Sequence, residues 1–266
     1  MIVRHESDGS LVMITQNDHA KAAGFMASHW GNALFERPKP LGSSVRATFL
    51  HDFAWISEEA SPRFNPQTGS SPNYLDVPNE TQLDAYRWAN DWLFGIDRYA
   101  GLLVSKHRTG IWKSRYGLMK RPCYPPRKLQ PEIEAFVDRS HAEQDAIAKE
   151  FDQNELMVNY NLLQVWDLFS LYICSNERLE ERLIEPVPTG YSRNDDAVCM
   201  RLAPVGSNRI GVEPFPFDQP ALEVNVVHRR LPTGTFKDEQ AFKCAYFGTS
   251  PQIATFTFVD GAAGSH

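Results

Sequence analysis

Residues 156–174, LMVNYNLLQVWDLFSLYIC, constrain this chain more than any other segment. They are apolar on nearly every side at helical length, so a helix here must be surrounded rather than laid on a surface. This predicts one central, deeply buried helix with the rest of the fold packed around it. Asp167 lies inside that helix, between Trp166 and Leu168. A carboxylate at such depth is costly unless a cation or a set of hydrogen bonds compensates it.

The remaining chain supplies a core of matching size, since 42% of its 266 residues are hydrophobic. Residues 2–15 predict a β-hairpin with its turn at Asp8-Gly9. Asn17 or Asp18 caps a helix to about residue 32. A second helix opens at Ser43 or Ser44 and places Val45, Phe49, Phe53 and Ile56 at spacings of three and four. Further helices are expected over 81–94, with Asn79 and Gln82 as a capping box, near 98–111, and from Pro131 to about 151. Proline-rich loops separate them at 61–79 and 120–130. From about Pro186 short β-type runs appear at 198–202, 209–212, 222–228, 242–247 and 253–259, with a hairpin turn at Gly206-Ser207-Asn208. The pattern predicts an α+β chain. A mainly helical domain with an N-terminal hairpin fills 1–185, and an antiparallel β extension over 186–266 packs on it. The C-terminal strands are candidates to pair with the N-terminal hairpin.

Several functional classes are excluded. A formal net charge of -6 with dispersed Lys and Arg provides no basic face for duplex nucleic acid. No run approaches the roughly 18 unbroken apolar residues of a membrane span. The first ten residues, MIVRHESDGS, do not predict a secretory signal. Cys123, Cys174, Cys199 and Cys244 form no C-x-x-C pair, so reduced thiols and a cytoplasmic location are expected. There is no nucleophile elbow, P-loop or dinucleotide fingerprint.

Four polar groups stand where a helical core would not normally place them. His19 is in the first turn of the first helix. His51 and Asp52 are adjacent within the apolar run from Ala47 to Ile56, and Asp167 is in the central helix. Two buried carboxylates with two imidazoles call for positive charge, which a divalent ion supplies compactly. Manganese, iron, cobalt, nickel or zinc suits such ligands. An ion of this kind polarises a phosphoryl oxygen and lowers the pKa of a bound water. Bland alternatives stay open: His19 exposed beside a cap, His51 bonded to a carbonyl with Asp52 in solvent, or Asp167 paired with Arg46, Arg108 or a backbone group.

The order His19, then His51-Asp52, then Asp167 resembles the ligand order of the HD-domain metal-dependent phosphohydrolases. The resemblance covers about residues 17–175. It implies an all-helical HD-like bundle there and hydrolysis of a phosphomonoester or nucleotide. The stretches VMITQNDHA, HWGN, HDFAW and LLVSKH also resemble an uncharacterised bacterial domain-of-unknown-function family, which implies no activity. The chain departs from the HD pattern at Trp55, where many of these enzymes carry a charged residue three positions after the pair.

On this reading His19, His51, Asp52 and Asp167 hold the ion, and Asp52 and His107 serve catalysis. Arg46, Trp55, Ser105, Lys106 and Arg108 are candidates for binding a small phosphorylated substrate, the cations by holding oxyanion charge. Trp55, Trp88, Trp92 and Trp112 could wall a pocket or simply fill a core. His29 lies ten residues after His19, nearly three helical turns on, too far along the axis to share an ion. The rival readings are a non-catalytic ligand-binding domain and a homo-oligomer assembled through the β region.

Overall fold

The computed structural model describes residues 1–78, 82–113, 128–192 and 197–262. Asn79, Thr81, Cys123 and most of the loop expected at 120–130 lie outside them.

The chain opens with strands β1 (Ile2–His5) and β2 (Leu11–Ile14), turned through Gly9 at a φ of +84°. Helices α1 (Gln16–Ser28) and α2 (Leu41–Leu50) follow, then a 3-10 turn at Phe53–Trp55 and the short α3 (Ile56–Glu59). Next come α4 (Leu83–Ile96), α5 (Arg98–Trp112), α6 (Pro131–Ala148) and the central α7 (Gln153–Cys174). The remainder is β3 (Arg182–Val187), β4 (Val198–Gly206), β5 (Arg209–Glu213), β6 (Ala221–Leu231), α8 (Glu239–Gly248) and β7 (Gln252–Asp260).

Local chemistry sets several boundaries. Thr15, rather than Asn17 or Asp18, caps α1, its hydroxyl accepting the Asp18 amide at 2.8 Å. Asp97, Asp152 and Asp238 cap α5, α7 and α8 in the same manner. Pro131 occupies the first turn of α6, where its missing N–H costs nothing.

The expected fold class is overturned. Instead of a mainly helical HD-like bundle with a terminal hairpin, one seven-stranded sheet runs in the order β1-β2-β6-β7-β5-β4-β3 and draws strands from both ends of the chain. The burial of β2 explains why. All four of its residues are buried, so both of its faces need cover and both of its edges need partners. A free hairpin leaves one face wet. β6 supplies the missing edge, pairing Met13 with Arg229 and Leu11 with Leu231. The expected tie between hairpin and C-terminal strands is therefore present, as part of a continuous sheet. The boundary expected at 185/186 falls within β3.

Two further expectations fail. Residues 242–247 form most of α8, because Phe242 and Tyr246, four apart, bury one helical face against Leu11, Met13 and Leu231. The C-terminal strands are also not wholly antiparallel, since β5 runs parallel to β7, pairing Ile210 with Phe258. The other sheet face carries Val224, Val226 and Phe258 into the main core, where they meet α1 and α7 through residues such as Met26, Trp166 and Phe169. A second cluster joins Trp55 to Tyr86, Trp112 and Phe136 from α4, α5 and α6.

Candidate metal centre

α2 ends where the candidate ligands begin. His51 is its C-cap, and Asp52 has left helical geometry at φ -111° and ψ 19°. The pair was expected mid-helix; it sits in the break instead. The break gives His51 its anchor. The Thr48 carbonyl belongs to the last turn of α2, whose carbonyls have no partner further along the helix. His51 Nδ1 takes it at 2.7 Å.

Four elements bring the predicted groups together. His19 arrives on α1, three residues after Gln16 and on the same helical face. Asp167 and His107 arrive on α7 and α5. All are buried. His19 Nε2 stands 2.8 Å from Asp52 Oδ2, and His51 Nε2 stands 3.6 Å from the same oxygen. His51 Nε2 is 3.3 Å from Asp167 Oδ1, and His19 Nδ1 is 3.7 Å from it. Bonds of about 2.1 Å to one ion would space neighbouring ligand atoms about 3.0–3.4 Å apart, the range straddled by the three Nε2 contacts at 2.8, 3.6 and 3.3 Å. Ligand atoms of His19, His51 and Asp167 lie within 4.8 Å of one another and form a candidate metal-binding triad. Asp52 adjoins it.

A carbonyl only accepts, so His51 Nδ1 must carry a hydrogen. The Ser170 hydroxyl donates to the Asp167 carbonyl at 2.8 Å, so it accepts from His19 Nδ1, also at 2.8 Å. In the neutral form of either ring, the Nε2 lone pair is then turned toward a carboxylate. His51 Nε2 makes no aligned hydrogen bond there. Donation of Nδ1–H to an oxygen with Nε2 left bare is how metal-binding histidines are oriented. The donor set fits a divalent transition metal.

With protons alone in the site, burial works to lower the His51 pKa, but the Asp52 and Asp167 charges outweigh it and raise it to about 9. Burial works to raise both carboxyls, and the surrounding imidazoles more than reverse this, holding Asp52 and Asp167 below the usual carboxylate range. His107 differs. Burial drives it down to about 4 although its Nε2 lies 3.6 Å from Asp167 Oδ2, so it is neutral near pH 7. Its ring stands edge-on to His51, centroids 5.1 Å apart.

The other predicted residues separate. Arg46 is an exposed side chain paired with Asp97 at 2.6 Å. Ser105 is buried and accepts from Gln144 at 2.8 Å. Lys106 is half-buried, and burial lowers its pKa. Arg108 is buried beside His107, stacked over Tyr86 (3.9 Å) and Trp112 (4.3 Å), and donates to Gln82 Oε1 at 2.5 Å. Trp55 is buried in the second cluster with Trp112, while Trp88 and Trp92 are exposed and stack on Phe53. His29 lies apart, bonded to Asp218 at 3.0 Å.

Sequence reasoning missed Ser170, Gln16, Glu59 and Tyr86. Gln16 donates to Asp52 Oδ2 at 3.2 Å, and Glu59 caps the first turn of α1 through the amides of Gln16 and Asn17. The spacings Gln16 to His19 and Asp167 to Ser170, both three residues, were readable as shared helix faces. Nothing local marked Glu59 or Tyr86.

A family model described as "Protein of unknown function (DUF3891)" matches residues 1–233. No curated protein and no solved structure matches the chain.

Proposed function

The chain belongs to that family of proteins of unknown function, DUF3891, and from this premise we propose that it is a metal-dependent phosphohydrolase acting on a phosphomonoester or nucleotide. One observation carries the reading. His19 and His51 each commit Nδ1 to an oxygen partner and turn Nε2 toward buried carboxylates. The order of ligands along the chain, His19, His51-Asp52 and Asp167, supports it as a likeness to the HD phosphohydrolases in ligand pattern, without their fold.

In this reading His19, His51, Asp52 and Asp167 hold a manganese, iron, cobalt, nickel or zinc ion. When bound, the ion supplies Lewis-acid polarisation and a lowered pKa for water. Asp52, ionised at neutral pH, accepts a proton from the water whose oxygen bonds to phosphorus as the ester P–O bond breaks, and that proton passes on to the leaving alcohol oxygen. His107, neutral there, orients Asp167 from its second oxygen and faces the substrate anion. Arg108 is the buried cation nearest His107 in sequence and supplies charge to that anion. The protein's own anchoring of both rings keeps the ligands in place before substrate arrives.

Elemental analysis of protein purified without chelator tests this. Stoichiometric transition metal, lost in the His51→Ala/Asp52→Ala double variant, is expected. Release of phosphate from a monoester panel with added manganese, cobalt or nickel should vanish in the same variant. A folded, metal-free protein that takes up none of these ions removes the reading and favours a ligand-binding domain whose buried charge is balanced by protons on His51.

A further inference from the structure

Among the described residues, several buried polar atoms near Asp52 make no aligned hydrogen bond: Gln16 Oε1, His51 Nε2, Trp55 Nε1 and the Tyr86 hydroxyl. Gln16 bonds to Asp52 through its other amide atom. His51 is its chain neighbour, and the Tyr86 hydroxyl lies within the electrostatic reach of Asp52, Glu59 and Arg108. The Trp55 indole N–H comes close enough to that hydroxyl to act on its pKa, yet no aligned bond closes between them. Other atoms of this kind are spread through the fold, on Trp30 and Trp166 in the main core, on Ser44 of α2, on Ser70 and on His228 of β6. Buried donors without acceptors are rare and costly in folded proteins, so two at one place call for an acceptor.

The chemistry of the two donors is specific. Burial is the largest influence on the Tyr86 phenol and pushes its pKa up, so it stays protonated and can donate. Arg108 sits over the ring, its guanidinium carbon 3.9 Å from the centroid, and its charge acts in the opposite sense, making the hydroxyl a stronger donor. An indole N–H can only donate. Both are uncharged, and of the charges that reach the hydroxyl the Arg108 guanidinium acts more strongly than either the Asp52 or the Glu59 carboxylate. Such a set favours an acceptor with several oxygens and negative charge over a neutral one.

We propose that Trp55 Nε1–H and the Tyr86 hydroxyl, backed by Arg108, form a donor cradle that binds the phosphoryl oxygens of a phosphomonoester beside the His19–His51–Asp52–Asp167 centre. This rests on the phosphohydrolase reading for its substrate class. A monoester presents three non-bridging oxygens, two for these donors and a third left for the Arg108 guanidinium or the neighbouring centre, whereas a diester presents only two.

Inorganic phosphate is the probe, titrated calorimetrically into the full chain, both manganese-loaded and chelator-treated. Tyr86→Phe and Trp55→Phe are each expected to weaken phosphate binding about ten- to hundredfold, with manganese content unchanged. Tyr86→Phe should leave the thermal midpoint the same or higher, because it deletes an unpartnered donor. Phosphate affinity that is indifferent to Tyr86→Phe overturns the cradle, as does a marked fall in midpoint, which would make the hydroxyl structural. Should Trp55→Phe not fold, Tyr86→Phe decides alone, since it removes one atom. The two readings fail separately. Turnover that persists with phosphate binding insensitive to Tyr86→Phe removes the cradle and leaves the hydrolase. Phosphate binding that depends on Tyr86 in a protein that takes up no metal removes the hydrolase and leaves the cradle.

Discussion

Ser170 shows how much a single hydroxyl decides at this centre. Its proton goes to the Asp167 carbonyl, so its oxygen fixes which nitrogen of His19 is bare. Partners of this kind typically change metal affinity about 10–100-fold when removed. Ser170→Ala should weaken manganese binding by that amount in a chelator competition while circular dichroism stays unchanged. Unaltered affinity would mean that His19 does not ligate through the orientation described. Cys174 offers a second residue-scale test. Burial raises its thiol pKa to about 12, whereas Cys199 and Cys244 are exposed. Iodoacetamide at pH 8 should modify Cys199 and Cys244 and reach Cys174 only in denaturant. The sign for stability follows from the same shift. Above the usual thiol range the unfolded chain releases this proton and the folded chain keeps it, so Cys174 removes stability as pH climbs toward 12. Rapid labelling of Cys174 in the native protein would contradict the packing around it.

The contact between α1 and α2 sets the separation of His19 from His51. Gly24 of α1 lies so close to α2 that an added Cβ would stand 2.3 Å from the Phe49 ring. A ring packed between helices cannot swing aside as the end of a long side chain can, so the helices must part. Gly24→Ala should cost about 1–3 kcal/mol, the range for overpacked cores, and should weaken metal binding as well. A thermal melt and a metal titration check both halves. A midpoint unchanged from the parent would show that the helices yield freely. Element-scale features were unevenly legible. The buried α7 was readable from composition alone, since a helix that is apolar all round has one place to go. The break at His51-Asp52 was not, because Phe49 and Phe53 keep helical spacing across it. Helix α8 resembled a strand because a short apolar run serves either period.

One sheet holds the molecule together. Residues from both ends of the chain share it, and α1 and α7 cover one of its faces. Trp30, just beyond α1, pairs with Phe217 in the connection before β6. A fragment of residues 1–185 would lose the β6 partner of β2 and the apolar side chains of Val224, Val226 and Phe258 from the main core. Such a fragment should show no cooperative thermal transition, followed by circular dichroism. A sharp transition would mean that the helices suffice without the C-terminal strands. Among the described residues no helix is long and apolar enough to cross a membrane.

Which groups would need a partner was written in the amino-acid order. Asp167 among tryptophan and leucine, and His51-Asp52 among phenylalanines, carry a burial cost that belongs to the side chain and its neighbours in sequence. Which partner each received was a matter of tertiary structure. Hydrogen bonds and ligand contacts are directional and short, so the Thr48 carbonyl on His51, the Ser170 hydroxyl on His19, and β6 beside β2 exist only once distant segments have been set side by side.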